Sequence, residues 1–109
     1  MLNKNSTRYF SNLQEKEVAK KVGGSQTPNS GATKFIKGDV QTENWLIECK
    51  TAMSPKSSFS IKKKWLEKNR QEAFAEGKDY NALVFDFGDG GKRYYIVDEA
   101  TFVAAMNGL

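Results

Sequence analysis

The stretch from Trp45 to Lys50 constrains the fold more than any other part of the sequence, because it reads as a β-strand with charges on only one face. Side chains alternate between the two faces of a strand. One face then carries Leu46, Glu48 and Lys50, and the other carries Trp45, Ile47 and Cys49. A carboxylate and an ammonium about 6–7 Å apart along an otherwise apolar strand suit a functional site better than a core.

Asp39 lies on an extended segment before this strand, and the polar turn at residues 41–44 separates the two. If the segments pair as a hairpin, the Asp39 carboxylate can reach Glu48. Two carboxylates beside a lysine can hold a hard divalent cation and still leave a positive charge for a phosphate. The bare E-x-K tripeptide is better explained as a solvated strand edge with an incidental ion pair, so the interpretation depends on the rest of the chain.

Length, charge and residue types limit the classes of function. A chain of 109 residues corresponds to one domain, in which we expect residues 1–7 to form a flexible N-terminal arm. The net charge of +4 and the isoelectric point near 9.2 favour a polyanionic partner. Because histidine is absent, His-containing triads and zinc binding by His are excluded. The single cysteine excludes an internal disulfide, and no apolar run reaches membrane-spanning length, so we expect a protein of the reducing cytosol without a membrane partner.

Residues 8–22 are predicted to form a helix that ends at the glycine pair of positions 23 and 24. Glu15 and Glu17 on this helix are either surface glutamates that contact nearby lysines or, for one of them, a further metal ligand. Residues 24–33 have loop composition, with small side chains, hydroxyls and accessible backbone amides. Any single serine here is more simply part of a connector. The loop as a whole leads to Lys34 and Lys37, and this arrangement indicates a contact with a DNA backbone.

Ordered motifs in the first half of the chain resemble the PD-(D/E)xK nuclease superfamily and, within it, the archaeal-type Holliday junction resolvases and their phage relatives. The motifs are Glu15-Lys16-Glu17, Gly23-Gly24-Ser25, Asn29-Ser30-Gly31-Ala32, Gly38-Asp39 and Glu48-Cys49-Lys50. The resemblance implies catalytic roles for Glu15, Asp39, Glu48 and Lys50, with Glu17 as the alternative helix register. It implies a metal held by Asp39, Glu48, Glu15 and the Cys49 carbonyl. The loop serine of the family corresponds to Ser25 or Ser30.

The second half of the chain is predicted to contain a long helix at residues 61–76, capped by Ser58 or Ser60, and a buried strand at residues 80–87. A turn at residues 88–91, a strand at residues 92–97 and a helix at residues 98–106 follow. We expect Trp65 and Phe74 to lie in the core, together with the apolar face of the last helix, for which a dimer contact is the less favoured interpretation. That face consists of Phe102, Val103 and Met106. The lysines expected to contact phosphates beside the strand are Lys62, Lys63 and Lys64, and the resemblance adds Gln71 as an accessory residue.

The elements predict an α/β domain with a small mixed β-sheet flanked by helices, compatible with the restriction-endonuclease-like fold. The expected function is a Mg²⁺-dependent endonuclease acting on four-way DNA junctions as a homodimer, in the cytoplasm of a bacterium or of a phage-infected host cell. Mn²⁺ is expected to substitute for Mg²⁺, and no other small-molecule cofactor is expected. Two alternatives stay open: a nuclease of the same superfamily that cuts linear or nicked duplex, and a catalytically inactive DNA-binding module.

Overall fold

The protein is a mixed α/β domain in a computed structural model that describes residues 7–27, 40–52 and 54–108, with residues 7–11 in backbone only. In order along the chain, the elements are α1 Thr7–Val22, β1 Ser25–Gln26, β2 Val40–Gln41, β3 Trp45–Lys50, α2 Lys63–Ala75, β4 Tyr80–Phe85, β5 Tyr94–Ile96 and α3 Glu99–Met106. Across the described residues the five strands form one sheet in the order β1-β2-β3-β4-β5. None of the helices described has the length and apolar content needed to cross a membrane.

Strand β3 occupies the centre of the sheet. It pairs antiparallel with β2 and parallel with β4, and β5 pairs antiparallel with β4. The parallel pair requires a crossover connection, which α2 supplies. The register places Glu48 beside Leu83 and Lys50 beside Phe85, so the two charged residues of β3 have the buried strand β4 as their neighbour. The predicted mixed sheet with flanking helices is thus confirmed.

The face of the sheet towards α1 is an apolar core. Val18 and Ala19 of α1 pack against Ile47, Cys49 and Val84, and all five are buried. Burying apolar surface of this kind is the main favourable contribution to folding. Alternation along β3 then directs Leu46, Glu48 and Lys50 to the opposite face, as the sequence predicts.

Helix α2 covers the opposite face and is fixed there by a buried asparagine. Asn69 is 1% exposed. Its Nδ2 donates a hydrogen bond to the Leu46 carbonyl at 3.4 Å, and its Oδ1 accepts one from Asn81 Nδ2 at 2.7 Å. A buried amide with both ends engaged stabilises one orientation of α2 on the sheet, because leaving either group unpaired would be costly.

Several element boundaries differ from those predicted. Helix α1 begins at Thr7, a residue predicted to belong to the N-terminal arm, and Ser25–Gln26 is a short strand inside the predicted loop. The hairpin of β2 and β3 forms as predicted, although Gln41 belongs to the strand rather than the turn. Helix α2 starts at Lys63, and Lys62 precedes it without a side-chain cap. The prediction that Ser58 or Ser60 caps this helix is therefore wrong.

Two apolar surfaces predicted to be buried are exposed instead. In α3, Phe102, Val103 and Met106 are 57%, 49% and 72% exposed, and Phe74 of α2 is 85% exposed. Helix α3 follows the three-residue edge strand β5, whose tyrosines are themselves exposed. The edge of the sheet therefore offers α3 little buried surface to pack against, and the core prediction for these side chains is wrong.

Candidate active site

Glu48 and Lys50 form an ion pair at the end of β3. Lys50 Nζ lies 3.7 Å from Glu48 Oε2, and the two side chains are 29% and 22% exposed. They lie on one face of the strand because their positions differ by two residues. The predicted proximity is confirmed, and both groups remain accessible to a ligand.

The Lys50 ammonium also lies over an aromatic ring. Its Nζ is 4.3 Å from the ring centroid of Trp65 in α2, and Lys62 Nζ is 5.6 Å from the same centroid. A tryptophan face attracts a cation at these distances, so the ring helps to hold Lys50 in place. Trp65 is half-buried and lines an open groove, and the prediction that it is a core residue is wrong in this respect.

Glu15 of α1 is influenced electrostatically by Glu48. Burial raises the pKa of the Glu15 carboxyl, a hydrogen bond from Gln26 opposes the rise, and the negative charge of Glu48 adds to it. Gln26 Nε2 lies 3.4 Å from Glu15 Oε1. A half-buried carboxylate whose ionised form is disfavoured by a second carboxylate is in surroundings that a cation would stabilise. We call the group formed by Glu15, Glu48, Lys50 and Trp65 the strand-end cluster.

A hydrogen-bond network that the sequence did not reveal joins α1 to the end of β3. Gln14 is buried, and its Nε2 donates to the Lys50 carbonyl at 2.8 Å and to Asp86 Oδ2 at 3.0 Å. Asp86 Oδ1 also accepts hydrogen bonds from Thr51 Oγ1 at 3.2 Å and from the Gly88 backbone N–H at 2.8 Å. The network holds the Lys50 backbone in place through its carbonyl oxygen. The available signal was a threonine directly after the strand that ends at position 50 and an aspartate, at position 86, inside the apolar run predicted as a buried strand.

Some predicted site residues lie away from the strand-end cluster. Glu17 pairs instead with Arg93, with 2.6 Å between its Oε1 and the guanidinium, so the alternative register of the helix glutamate is not brought to the cluster. Gln71 is exposed and lines a groove of about 390 Å³ that includes neither Glu48 nor Lys50. Ser25 is exposed in β1, where it pairs with Gln41.

The remaining predicted residues divide into exposed, buried and undescribed ones. Lys62, Lys63 and Lys64 are exposed at the start of α2, and Cys49 is buried in the core on the α1 side. Ser30, Lys34, Lys37 and Asp39 lie outside the described residues. Within residues 7–27, 40–52 and 54–108, no group of three or more acidic, histidine or cysteine side chains is arranged to hold a metal. The described part of the cluster contributes two carboxylates.

Comparison of the chain with protein-family models, with curated proteins and with solved structures gave no match.

Proposed function

We propose that the protein is a Mg²⁺-dependent, structure-selective DNA endonuclease of the PD-(D/E)xK type with the restriction-endonuclease-like fold, and that its substrate is a four-way junction. The observation that carries this proposal is the ion pair of Glu48 and Lys50 on the partly exposed end of the central strand, with the negative charge of Glu48 also acting on Glu15 of α1. A carboxylate and an ammonium that are both partly open to solvent are thereby paired on a strand that is otherwise largely buried.

The donor set fits a hard divalent cation. Carboxylate oxygens are the ligands that Mg²⁺ and Mn²⁺ prefer, and the mutual repulsion of Glu15 and Glu48 is the condition that such a cation relieves. We propose Asp39 as the third carboxylate and the Cys49 carbonyl as a further ligand. The described ladder ends at the pair of Val40 and Ile47, and an antiparallel ladder continued by one residue would pair position 39 with Glu48.

The residues of the strand-end cluster have different roles in the proposed reaction. When bound, the cation lowers the pKa of water and neutralises phosphate charge. Lys50, held by Glu48 and the Trp65 ring, orients the attacking water and offsets negative charge that develops on the phosphate. The network of Gln14 and Asp86 fixes the Lys50 backbone, so that its position is set before substrate binds.

We further propose that the protein acts as a homodimer with two-fold symmetry. Resolving a four-way junction takes two matched cuts, which a two-fold pair of sites supplies. The exposed apolar residues of α3 support an association between copies, since large apolar side chains at 49–72% exposure are the kind that interfaces cover. Light scattering in solution should give the mass of a dimer. Its proposed location is the cytoplasm of a bacterium or phage-infected cell, where such DNA occurs.

Cleavage of a labelled four-way junction beside a linear duplex of matched sequence tests the proposal. The assay compares Mg²⁺ with EDTA, and wild type with Asp39→Asn and Glu48→Gln. We expect paired symmetric nicks in the junction alone, lost in EDTA and in both variants. Lys21→Ala, an exposed change at the far end of α1, is the matched control and should cut normally.

Each other outcome selects a different function. Equal cutting of junction and duplex would retain the metal site but identify a nuclease of linear or nicked DNA. Tight junction binding by wild type without any cutting in Mg²⁺ or Mn²⁺ would identify a DNA-binding module, and the catalytic roles given above would be wrong.

A further inference from the structure

We propose that the groove formed by residues 55–60 and Trp65, which we call the serine groove, binds a phosphodiester of the DNA strand next to the one being cut. This inference rests on the proposed function for the identity of the strand, but its chemistry rests on the groove itself. The groove encloses about 640 Å³ and opens to solvent. It shares the Trp65 ring with the strand-end cluster.

The serine groove adjoins the surroundings of Lys50 through a shared aromatic ring. Trp65 forms one wall, and Lys50 Nζ lies 4.3 Å from its ring centroid. At the level of the sheet, Lys50 is paired with Phe85, and the Phe59 ring stacks on Phe85 with 5.0 Å between centroids. The Trp65 ring and the stack of Phe59 on Phe85 thus place the groove beside the end of β3 where Lys50 lies, so a ligand in the groove would lie near the ammonium.

The loop that forms the groove is fixed to the sheet. The Lys56 backbone N–H donates to the Phe87 carbonyl at 2.9 Å. Phe59 is half-buried and belongs to an aromatic group in which Phe85 also stacks on Tyr94 at 5.7 Å. These contacts hold the loop at two points, and the side chains between them face solvent. A loop held in this way loses little conformational freedom when a ligand binds.

The lining of the serine groove suits an anion. It contains three serine hydroxyls and the Lys56 ammonium, and it includes no aspartate or glutamate. Lys62 Nζ, 5.6 Å from the Trp65 centroid, adds a second positive charge at the rim. Hydroxyls and ammonium groups are the side-chain donors that contact phosphate oxygens in DNA complexes. A neutral sugar would not need the ammonium groups, and several hydroxyls beside them match the successive oxygens of a nucleic-acid backbone, so we assign the groove to a phosphodiester.

A binding measurement in EDTA tests the groove separately from cleavage. Trp45→Phe leaves Trp65 as the one tryptophan, since the chain contains two, and its fluorescence then reports on the groove. The probe is single-stranded oligothymidylate of about twelve nucleotides, a length within the range of single-strand sites. A methylphosphonate oligomer of the same sequence, which lacks the backbone charge, is the second probe.

We expect the charged oligomer to change the Trp65 fluorescence and the uncharged oligomer to leave it unchanged. Adding Lys56→Ala should weaken binding at least fivefold and reduce the slope of log affinity against log salt by about 0.7, the value for one lost phosphate contact on a single strand. This substitution keeps the backbone N–H that bonds to Phe87, so the loop should stay in place. Lys21→Ala removes the same charge at the far end of α1 and should change neither quantity.

Two results would overturn the proposal that the serine groove binds a phosphodiester. Equal fluorescence changes with both oligomers would mean that Trp65 stacks on bases, and equal affinities for Lys56→Ala and Lys21→Ala would mean that the groove makes no phosphate contact. The nuclease proposal fails independently of these. A wild type that never cuts, but whose binding depends on Lys56 and backbone charge, would overturn the nuclease and support the phosphate site.

Discussion

The two faces of strand β3 differ in what their side chains are used for. Towards α1, Ile47 and Cys49 are buried in an apolar core. Towards α2, Leu46 is fully buried, but Glu48 and Lys50 further along the same face remain partly exposed. Helix α2 covers the first half of this face through Asn69 and contacts Lys50 through the Trp65 ring.

The difference shows how one short strand can serve both stability and chemistry. Apolar residues at alternate positions anchor the backbone, and that anchored backbone fixes where the charged side chains start. Substitutions on the α1 face should therefore alter the free energy of unfolding, whereas substitutions on the α2 face should alter activity. The four predictions below test this separation.

The largest effect is expected on the charged face, from Lys50→Ala. Removing one preorganised positive group from a phosphoryl-transfer site should slow single-turnover junction cleavage by about 10³-fold. The free energy of unfolding should change by no more than about 1 kcal/mol, because partly exposed ion pairs contribute little. A cleavage rate within tenfold of wild type, with the fold intact by circular dichroism, would contradict the role given to Lys50.

Ile47→Ala on the core face should give the opposite result. Ile47 is 3% exposed, and truncating a buried isoleucine removes apolar contacts and leaves a cavity, at a cost of about 2–5 kcal/mol. Urea unfolding should show this loss, while the folded fraction should still cut junctions at nearly the wild-type rate. Leu13→Ala is the matched control, since it truncates an aliphatic residue that is 43% exposed and should change stability little. The assignment of stability to one face of β3 and activity to the other would be wrong if Ile47→Ala abolished cleavage in protein that is fully folded.

Gln14→Ala tests the connection between the faces. Its amide links α1 to the Lys50 carbonyl and to Asp86, so the variant should lose about 1–2 kcal/mol of stability through the loss of two partly buried hydrogen bonds. We also expect cleavage to slow about tenfold, because the end of β3 would be less well fixed. The control, Lys20→Ala, is an exposed change on the same helix. A loss of stability with an unchanged cleavage rate would make Gln14 a structural residue only.

The strand alternation and the local patterns predicted much of this arrangement. The spacing of Glu48 and Lys50 fixed their common face, and the polar turn before Trp45 predicted the hairpin with β2. These features depend on neighbours within a few residues, where the period of the strand and the composition of the turn decide the outcome. The last helix was likewise predicted to begin at position 98, where the Asp98 side chain accepts a hydrogen bond from the Thr101 N–H as the N-cap.

The sequence did not predict features that depend on distant partners. Trp65 was expected in the core because its apolar spacing fits a buried stripe, yet Lys50 and Lys62 both approach its ring. The apolar face of α3 looked like core for the same reason, but hydrophobic periodicity does not say whether a surface lies opposite it. The burial of Gln14 could not be predicted, because a glutamine in a charged helix gives no local sign of burial.

The smallest effect is a change in the free energy of unfolding, expected from Glu15→Gln in the absence of metal. Its dependence on pH tests whether the charge of Glu48 acts on α1. The pKa of Glu15 is raised in the folded protein by burial and by Glu48. Folding therefore favours the protonated form, and the stability that this group contributes is present below its ordinary pKa and lost as pH rises through the raised value. In EDTA at pH 7, Glu15→Gln should be more stable than wild type by about 0.5 kcal/mol, and the difference should disappear in acid. Glu43→Gln, in the exposed turn before β3, removes the same charge at the other end of the strand and controls for net charge.

Mg²⁺ should stabilise wild type more than Glu15→Gln in thermal unfolding. Equal stabilisation of the two would exclude Glu15 as a ligand and return it to the set of ordinary surface glutamates.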